Sequence, residues 1–398
     1  MESASQESSA ERVYITGLGP VCSLGVGIEA FAGALWERPY RVRELAAASG
    51  QERPVSVRRV PAFDLNNYVK SKRSYVDPHS AFALAAGSLA LASSRGQARE
   101  IPPGTGGLAM GTVFGNTASQ EIFQQGVRLK GVRLASPVLF QHCYPNTTNS
   151  LLCIEFGLRG YNQNFCGDSL CGAQALQAAR EAIRDGLADL MLVGGCDALG
   201  DRLSAALRRE YGADGLVLGE GACFIVLENQ RSVRRRDSTP VCEVVSVASA
   251  GTGLPGPPRS AEAEGQIAAA TRLAISRALA QAGLWEGDLG IVFLAMPWQS
   301  QDLLCRAALP TLSSLSQVPT FAAQEVGGYA FAATFLLQCA AAVIFLNQRA
   351  VPSPLKLEGV EKGVELWVEQ PPTSVLGTAA LLLAWSAHSV VAAILKAP

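Results

Sequence analysis

Asp168-Ser169-Leu170-Cys171-Gly172 is where this sequence offers a nucleophile. The run lies between a short strand, Asn162–Phe165, and an amphipathic helix. In that helix Leu176, Ala179 and Ile183 share one face, while Arg180, Glu181, Arg184 and Asp185 lie elsewhere. A side chain on the first turn of such a helix meets free N–H groups and the positive end of the dipole, which favours an anion. A thiol suits that place. A serine hydroxyl titrates far higher and needs an adjacent base. Ser169 is the candidate, with Cys166 and Cys171 on either side. The plainer reading of Ser169 is a helix N-cap, and of the two cysteines buried packing. The histidines are His79, His142 and His388, and none adjoins this run. His142, in the loop Gln141–Pro145, reads as structural. Gly215–Glu220 (GLVLGE) looks faintly like a phosphate loop, but it has no lysine, and its strand context favours close backbone packing.

The elements that must hold this run alternate between strand and helix. Val13–Gly19 reads as a buried strand, Gly25–Trp36 and Pro78–Ser93 as helices, and Gly107–Phe114 as a second apolar strand. Leu190–Val193 reads as a strand ended by Gly194-Gly195, and Gly215–Leu227 as a glycine-broken strand pair. Arg231–Asp237 (RSVRRRD) is the most polar stretch of the middle, and a boundary between halves is placed there. The pattern then restarts with a strand at Val241–Val247, a helix at Ala263–Gly283 and a strand at Ile291–Ala295. A helix at Ala332–Asn347 and a final strand at Ala379–Leu383 follow. Apolar strands alternating with helices imply an α/β fold whose sheet is covered on both faces. The expected organisation is a disordered tail over 1–11, one half over 12–237 and a second over 238–398. No residue repeat is visible, so any duplication is architectural.

Composition narrows the function classes. The 398 residues are 48% hydrophobic and 17% charged, with a net charge of −1. Globular domains average about 25% charged residues. So apolar a chain is not disordered. Without a basic block it is not built for nucleic acid. Ten cysteines without a CxxC spacing argue for reduced thiols rather than a disulfide scaffold or zinc site. No cofactor or metal is expected. The first ten residues lack a basic and an apolar region, so they do not read as a signal peptide, and a cytoplasmic location is expected. Ala330–Leu346 and Ala379–Leu395 are apolar but too short and interrupted for membrane spans, and are read as buried core.

Four segments together resemble the β-ketoacyl synthases of the thiolase superfamily. They are Val13–Gly25 (VYITGLGPVCSLG), Phe156–Gly160 (FGLRG), Cys171–Gly195 and Gly215–Glu228 (GLVLGEGACFIVLE). The resemblance implies a thiolase-like fold, two similar α/β halves in a layered αβαβα arrangement. It also implies that the helices starting near Leu170 and Ala330 form a buried central pair. Such enzymes condense acyl units with one cysteine, two histidines and a lysine. By ungapped spacing Ser169 stands at the cysteine position. Met296 and Pro297 stand where the first histidine loop follows its strand. Gln324 stands for the lysine and Tyr329 for the second histidine. Leu383–Ala387 replaces the glycine-rich phenylalanine gate, and the Gly195–Gly215 stretch is shorter than its counterpart.

A chain that has lost all four groups is similar to a chain-length factor, the non-condensing subunit that pairs with a catalytic ketosynthase. The resemblance implies a heterodimer, access to an acyl carrier protein through the complex, and a share in the pocket for the growing chain. Type II polyketide and polyene pathways both use such pairs. Implied pocket and interface residues are Thr117, Gln120, Ile122 and Phe123 after the Gly107–Phe114 strand, and Asn162, Asn164 and Phe165 on the strand before the elbow. That strand is expected to pair with a counterpart across the dimer axis. Two alternatives stay open: an active acyltransferase or hydrolase using Ser169, and a stand-alone homodimeric acyl-binding protein.

Overall fold

Val13–Cys22 is apolar on both faces, and it forms β1, the strand at the centre of the molecule, buried along its whole length. The computed structural model describes residues 11–37, 56–94, 104–211, 217–254, 261–295, 309–352, 355–358, 366–369 and 372–398. The strands after β1 are β2 (Gly106–Thr112), β3 (Asn162–Cys166), β4 (Leu190–Asp197), β5 (Gly221–Asn229) and β6 (Cys242–Gly251). Then come β7 (Leu289–Ala295), β8 (Thr320–Phe321), β9 (Leu355–Glu358), β10 (Leu366–Glu369), β11 (Ala379–Trp385) and β12 (Ser389–Lys396). They lie in the order β10-β9-β8-β7-β11-β12-β6-β1-β5-β4-β2-β3, with Gly25–Val26 added on β1.

One wiring is used twice. The first half runs β1-β5-β4-β2-β3 across the sheet and the second runs β6-β12-β11-β7-β8. In each, the first two neighbouring pairs are antiparallel and the last two parallel. The halves meet where Tyr14 and Ile15 of β1 pair antiparallel with Glu243 and Cys242 of β6. A duplicated wiring without a residue repeat means the apolar pattern was kept while the side chains changed.

Five layers follow from which helices are apolar all round. Helix α1 (Pro78–Ser93) starts on Asp77, whose carboxylate accepts the His79 N–H, with Pro78 on the first turn, where its missing N–H costs nothing. With α4 (Asn146–Phe156) it covers the outer face of the first sheet. Between them in sequence come α2 (Thr117–Lys130) and α3 (Pro137–His142). Helix α6 (Ala261–Ala282) covers the outer face of the second sheet. Between the sheets lie α5 (Cys171–Arg184) and α7 (Ala332–Gln348), the expected central pair. Ala332 to Leu346 are buried without interruption, as a helix apolar on every side requires. A Cβ on Gly172 of α5, or on Gly195 of β4, would stand 2.2 Å from the Ala332 carbonyl oxygen. Only glycine admits that approach.

The structure corrects several boundaries. Gly194-Gly195 does not end β4, which continues to Asp197. The glycines there make room for Phe224 and for α7. The second strand stops at Thr112, because the Val113 and Phe114 N–H groups turn away to the Asp197 carboxylate. Ala379–Leu383 is not the final strand. It runs on to Trp385 and returns as β12 through a turn in which Ser386 Oγ accepts the His388 and Ser389 N–H groups. The polar run 231–237 lies mostly in a helix, Gln230–Arg236. Arg236 is buried 2.7 Å from Glu228, while Arg231 and Arg235 reach Asp189. Ala330–Leu346 and the β11–β12 hairpin are core. Among the described residues no helix is long and apolar enough to cross a membrane.

Candidate functional site

The turn from β3 into α5 carries Ser169, but not as an N-cap. That position belongs to Leu170, which has no capping side chain, and the Leu170 N–H is taken by Asp168 Oδ1 at 2.9 Å. The N-cap reading of Ser169 is therefore corrected: Leu170 is the N-cap and no side chain caps the helix, while Asp168 only holds the Leu170 N–H in the turn before it. The half-buried Ser169 hydroxyl donates to the Trp385 carbonyl over a long 3.5 Å. A carbonyl accepts that hydrogen bond but cannot take the proton, so this contact does not activate the serine.

The two neighbouring thiols are suppressed. Burial, then the charges of Asp168 and Asp197, pushes Cys171 up to about 12. Cys166 is exposed, which corrects its reading as a buried packing residue; partial desolvation still raises it, with the Asn164 amide working the other way. At neutral pH both stay thiols, and only the thiolate is a strong nucleophile.

Gln324 is buried, and its Oε1 accepts from Gln338 Nε2 of α7 at 3.0 Å. Gln338 also donates to the Leu294 carbonyl and accepts the Ala323 N–H, at 3.0 and 3.1 Å. The cavity beside this pair holds about 10 Å³, room for roughly one water. Where the resemblance expects a lysine, two amides satisfy each other. Tyr329 is buried too, its ring edge-on to Phe331 at 5.3 Å, and its backbone bridges Val217 and Gly219. Phe331 packs on Phe114 at 4.7 Å. It holds φ at +49°, in the left-handed region that costs a non-glycine residue energy. Trp385, at the place of the expected gate, is buried and donates its indole N–H to Thr271 Oγ1 at 3.0 Å. Met296 and Pro297 lie outside the described residues.

Of the GLVLGE run, residues 217–220 are described: Val217–Gly219 is a strand, and buried Glu220 accepts from Arg59, Val60 N–H and Leu199 N–H.

Thr117, Gln120, Ile122 and Phe123 all lie on α2. Gln120 donates to the Cys143 carbonyl at 2.9 Å, Phe123 packs on Phe140 with centroids 5.5 Å apart, and Ile122 is 47% exposed. Asn162, Asn164 and Phe165 lie on β3, the last strand in the sheet order, with β2 on its one paired side. Asn164 Oδ1 is buried without a partner among the described residues. On the α2–α4 segment Leu129, Val132, Leu134 and Ile154 are each at least 70% exposed, and Val138, Phe140 and Tyr144 about half.

Sequence reasoning missed one cluster. His79, Asp77, Thr112, Thr148, Asn116 and Asp197 form a buried hydrogen-bonded network under the ends of β2 and β4. Pro78 was legible as a helix start. Nothing in the spacing linked Asp77 to residues 35 to 120 positions away, so no signal pointed to the rest.

The family model for the β-ketoacyl synthase N-terminal domain matches residues 10–232. A 3-oxoacyl-[acyl-carrier-protein] synthase 2 of Rhizobium meliloti (strain 1021) is 25% identical over 390 residues, 89% of this chain and 91% of that protein. The chloroplastic 3-oxoacyl-[acyl-carrier-protein] synthase I of Arabidopsis thaliana is 26% identical over 260 residues, 58% of this chain and 54% of that one. Among solved structures, the ishigamide ketosynthase/chain length factor superposes with a TM-score of 0.80 at 18% identity, covering 98% of this chain and 100% of that one. A type II polyketide synthase acyl carrier protein in complex with its ketosynthase superposes with a TM-score of 0.72 at 18% identity, with the same coverage. The layered fold is that of the thiolase-like ketosynthases. With more than half its length under the family model, the chain belongs to the β-ketoacyl synthase family.

Proposed function

We propose that this chain is a chain-length-factor type of subunit. It pairs with a catalytic β-ketoacyl synthase acting on carrier-protein-bound chains and shapes the pocket for the growing product. One observation carries the reading: β3, whose outer edge pairs with nothing among the described residues, lies in the same chain as exposed apolar residues on α2, α3 and the linker between them. An unpaired edge and a large exposed apolar patch are liabilities in a lone protein and normal features of an interface. The degenerate site supports the same reading. Ser169 meets a carbonyl, Gln324 meets Gln338, and the flanking thiols are held protonated.

The test is co-expression with a ketosynthase encoded beside it. The pair should co-purify and condense malonyl units, and this chain alone should not condense them. A well-behaved homodimer that condenses on its own would overturn the reading. Within the active pair, Ser169→Ala should leave product formation within a few-fold of wild type. A loss of a hundredfold, about 2.7 kcal/mol of barrier, would favour an acyl-transfer role for Ser169, and acyl labelling of that serine would confirm it.

The α2 residues set a second expectation. Phe123→Ala or Ile122→Ala should lengthen the product by removing bulk beside the chain, and Thr117→Trp should shorten it. Product lengths read by mass spectrometry, unchanged in all three variants of an intact pair, would remove the pocket from this helix.

A further inference from the structure

The segment from Thr117 to Leu151 is fastened to the body in an unusual way. Helix α2 buries only Ser119, α3 buries nothing, and the first turn of α4 buries Thr148 and Asn149. All three buried side chains are polar. A segment docked by apolar packing would bury its leucines and phenylalanines, yet Leu129, Leu134 and Phe140 face outward.

What holds it is a chain of hydrogen bonds to the start of α1. Asp77 Oδ2 accepts the Ser119 N–H and hydroxyl at 2.8 and 2.6 Å. Thr148 Oγ1 lies 2.9 Å from His79 Nδ1, 2.7 Å from Ser80 Oγ and 2.9 Å from Asn116 Oδ1, and has one proton to share among them. Asn116 Nδ2 in turn donates to the His142 carbonyl at 2.9 Å. On its far side His79 Nε2 faces the Cys196 carbonyl at 3.0 Å and Thr112 Oγ1 at 3.1 Å. Thr112 gives its own proton to Asp197 Oδ1, so it can only accept from the ring. Nε2 therefore carries the imidazole proton, a tautomer assigned from its partners.

We propose that His79 and Asp77 are positioning residues that set where the exposed apolar segment Thr117–Leu151 stands on the body, ahead of Leu152, where α4 joins the apolar core. The inference concerns the chain itself. Only its consequence for the partner rests on the proposed function. Hydrogen bonds have direction where apolar contacts do not, so a polar anchor fixes the orientation of a segment whose apolar faces are left free for something else.

The titration of His79 supplies an independent readout. Burial lowers its pKa, while Asp197 and Asp77 oppose this; Cys196 also faces the ring. The unfolded chain then takes up a proton near the ordinary value of about 6.5, and the native state does so only lower. The unfolded state binds more protons in that window, so the anchor weakens as pH falls below it. Asp197, raised by burial, acts in the opposite direction nearer the carboxylate range.

Hydrogen–deuterium exchange of the full chain tests this. In His79→Leu, peptides from 117–151 should exchange at least tenfold faster, with the α7 peptides unchanged. His79→Gln, which keeps a donor, should recover most of the protection. Wild type taken from pH 7.5 to 5.5, corrected for intrinsic exchange, should show the same local loosening, and His79→Gln should not. If His79→Leu does not fold, Asp77→Asn gives the same local readout through Ser119. Unchanged exchange in 117–151, or equal acceleration everywhere, overturns the proposal. Loosening of 117–151 with undiminished affinity for a ketosynthase partner would keep the anchor and remove the partner reading from this segment.

Discussion

Gly172→Val should leave no cooperatively folded protein. A Cβ at position 172 would stand 2.2 Å from the Ala332 carbonyl oxygen. That oxygen belongs to the first turn of a helix buried on all sides, which cannot retreat without disturbing both sheets. Overpacking a core commonly costs about 1–3 kcal/mol where side chains can adjust. Here the obstacle is backbone, and valine adds two methyl groups, so the expected cost exceeds about 4 kcal/mol. Native stabilities are only about 5–15 kcal/mol. The check is near-ultraviolet circular dichroism and a thermal scan of whatever remains soluble. Gly33→Ala is the control, because nothing stands within 4 Å of the added Cβ. It lies inside the helix Ile28–Glu37 and should gain about 0.5–1 kcal/mol from propensity. A Gly172→Val protein melting within a few degrees of wild type would show that α5 and α7 do not cross as described.

The second large effect concerns association. Leu134→Asp with Phe140→Asp should weaken binding to a catalytic ketosynthase by more than a hundredfold and leave this chain's own melting temperature nearly unchanged. Leu134 is 70% and Phe140 46% exposed, so neither supports the core strongly. Burying each against a partner would contribute about 1.5–3 kcal/mol, and an aspartate buried instead costs more than that gain. Titration of labelled partner gives the dissociation constant, and thermal scans of the single chain give the control. An unchanged constant would move the interface away from this face. A melting temperature that collapses would mean these residues pack inward.

Much of the layout was legible before any coordinates. Pro78–Ser93 reads as a helix because Pro78 can open it and alanine and leucine fill it at helical spacing. Ala332–Asn347 reads as a buried helix because it is too apolar for any surface yet too short and polar-spotted for a membrane. The turn of the β11–β12 hairpin was misread. Ser386, His388 and Ser389 looked like interruptions of one element, when they reverse the chain between two.

The chemistry divides along the same line. The residue types at 169, 324 and 329, and the resemblance that gives those positions meaning, belong to the sequence. They set the expectation that the usual acid, base and nucleophile are missing there. Only the tertiary structure decided what those residues do instead. Ser169 points to the Trp385 carbonyl, 216 positions away. Gln324 closes on Gln338, and Asp168 holds the Leu170 N–H in the turn before a helix that no side chain caps. The His79 network was invisible for a physical reason. Its members sit on α1, β2, β4 and α4 and in the turn before α2, each an ordinary polar residue locally. They become a network only when burial removes water and leaves them no partners but one another.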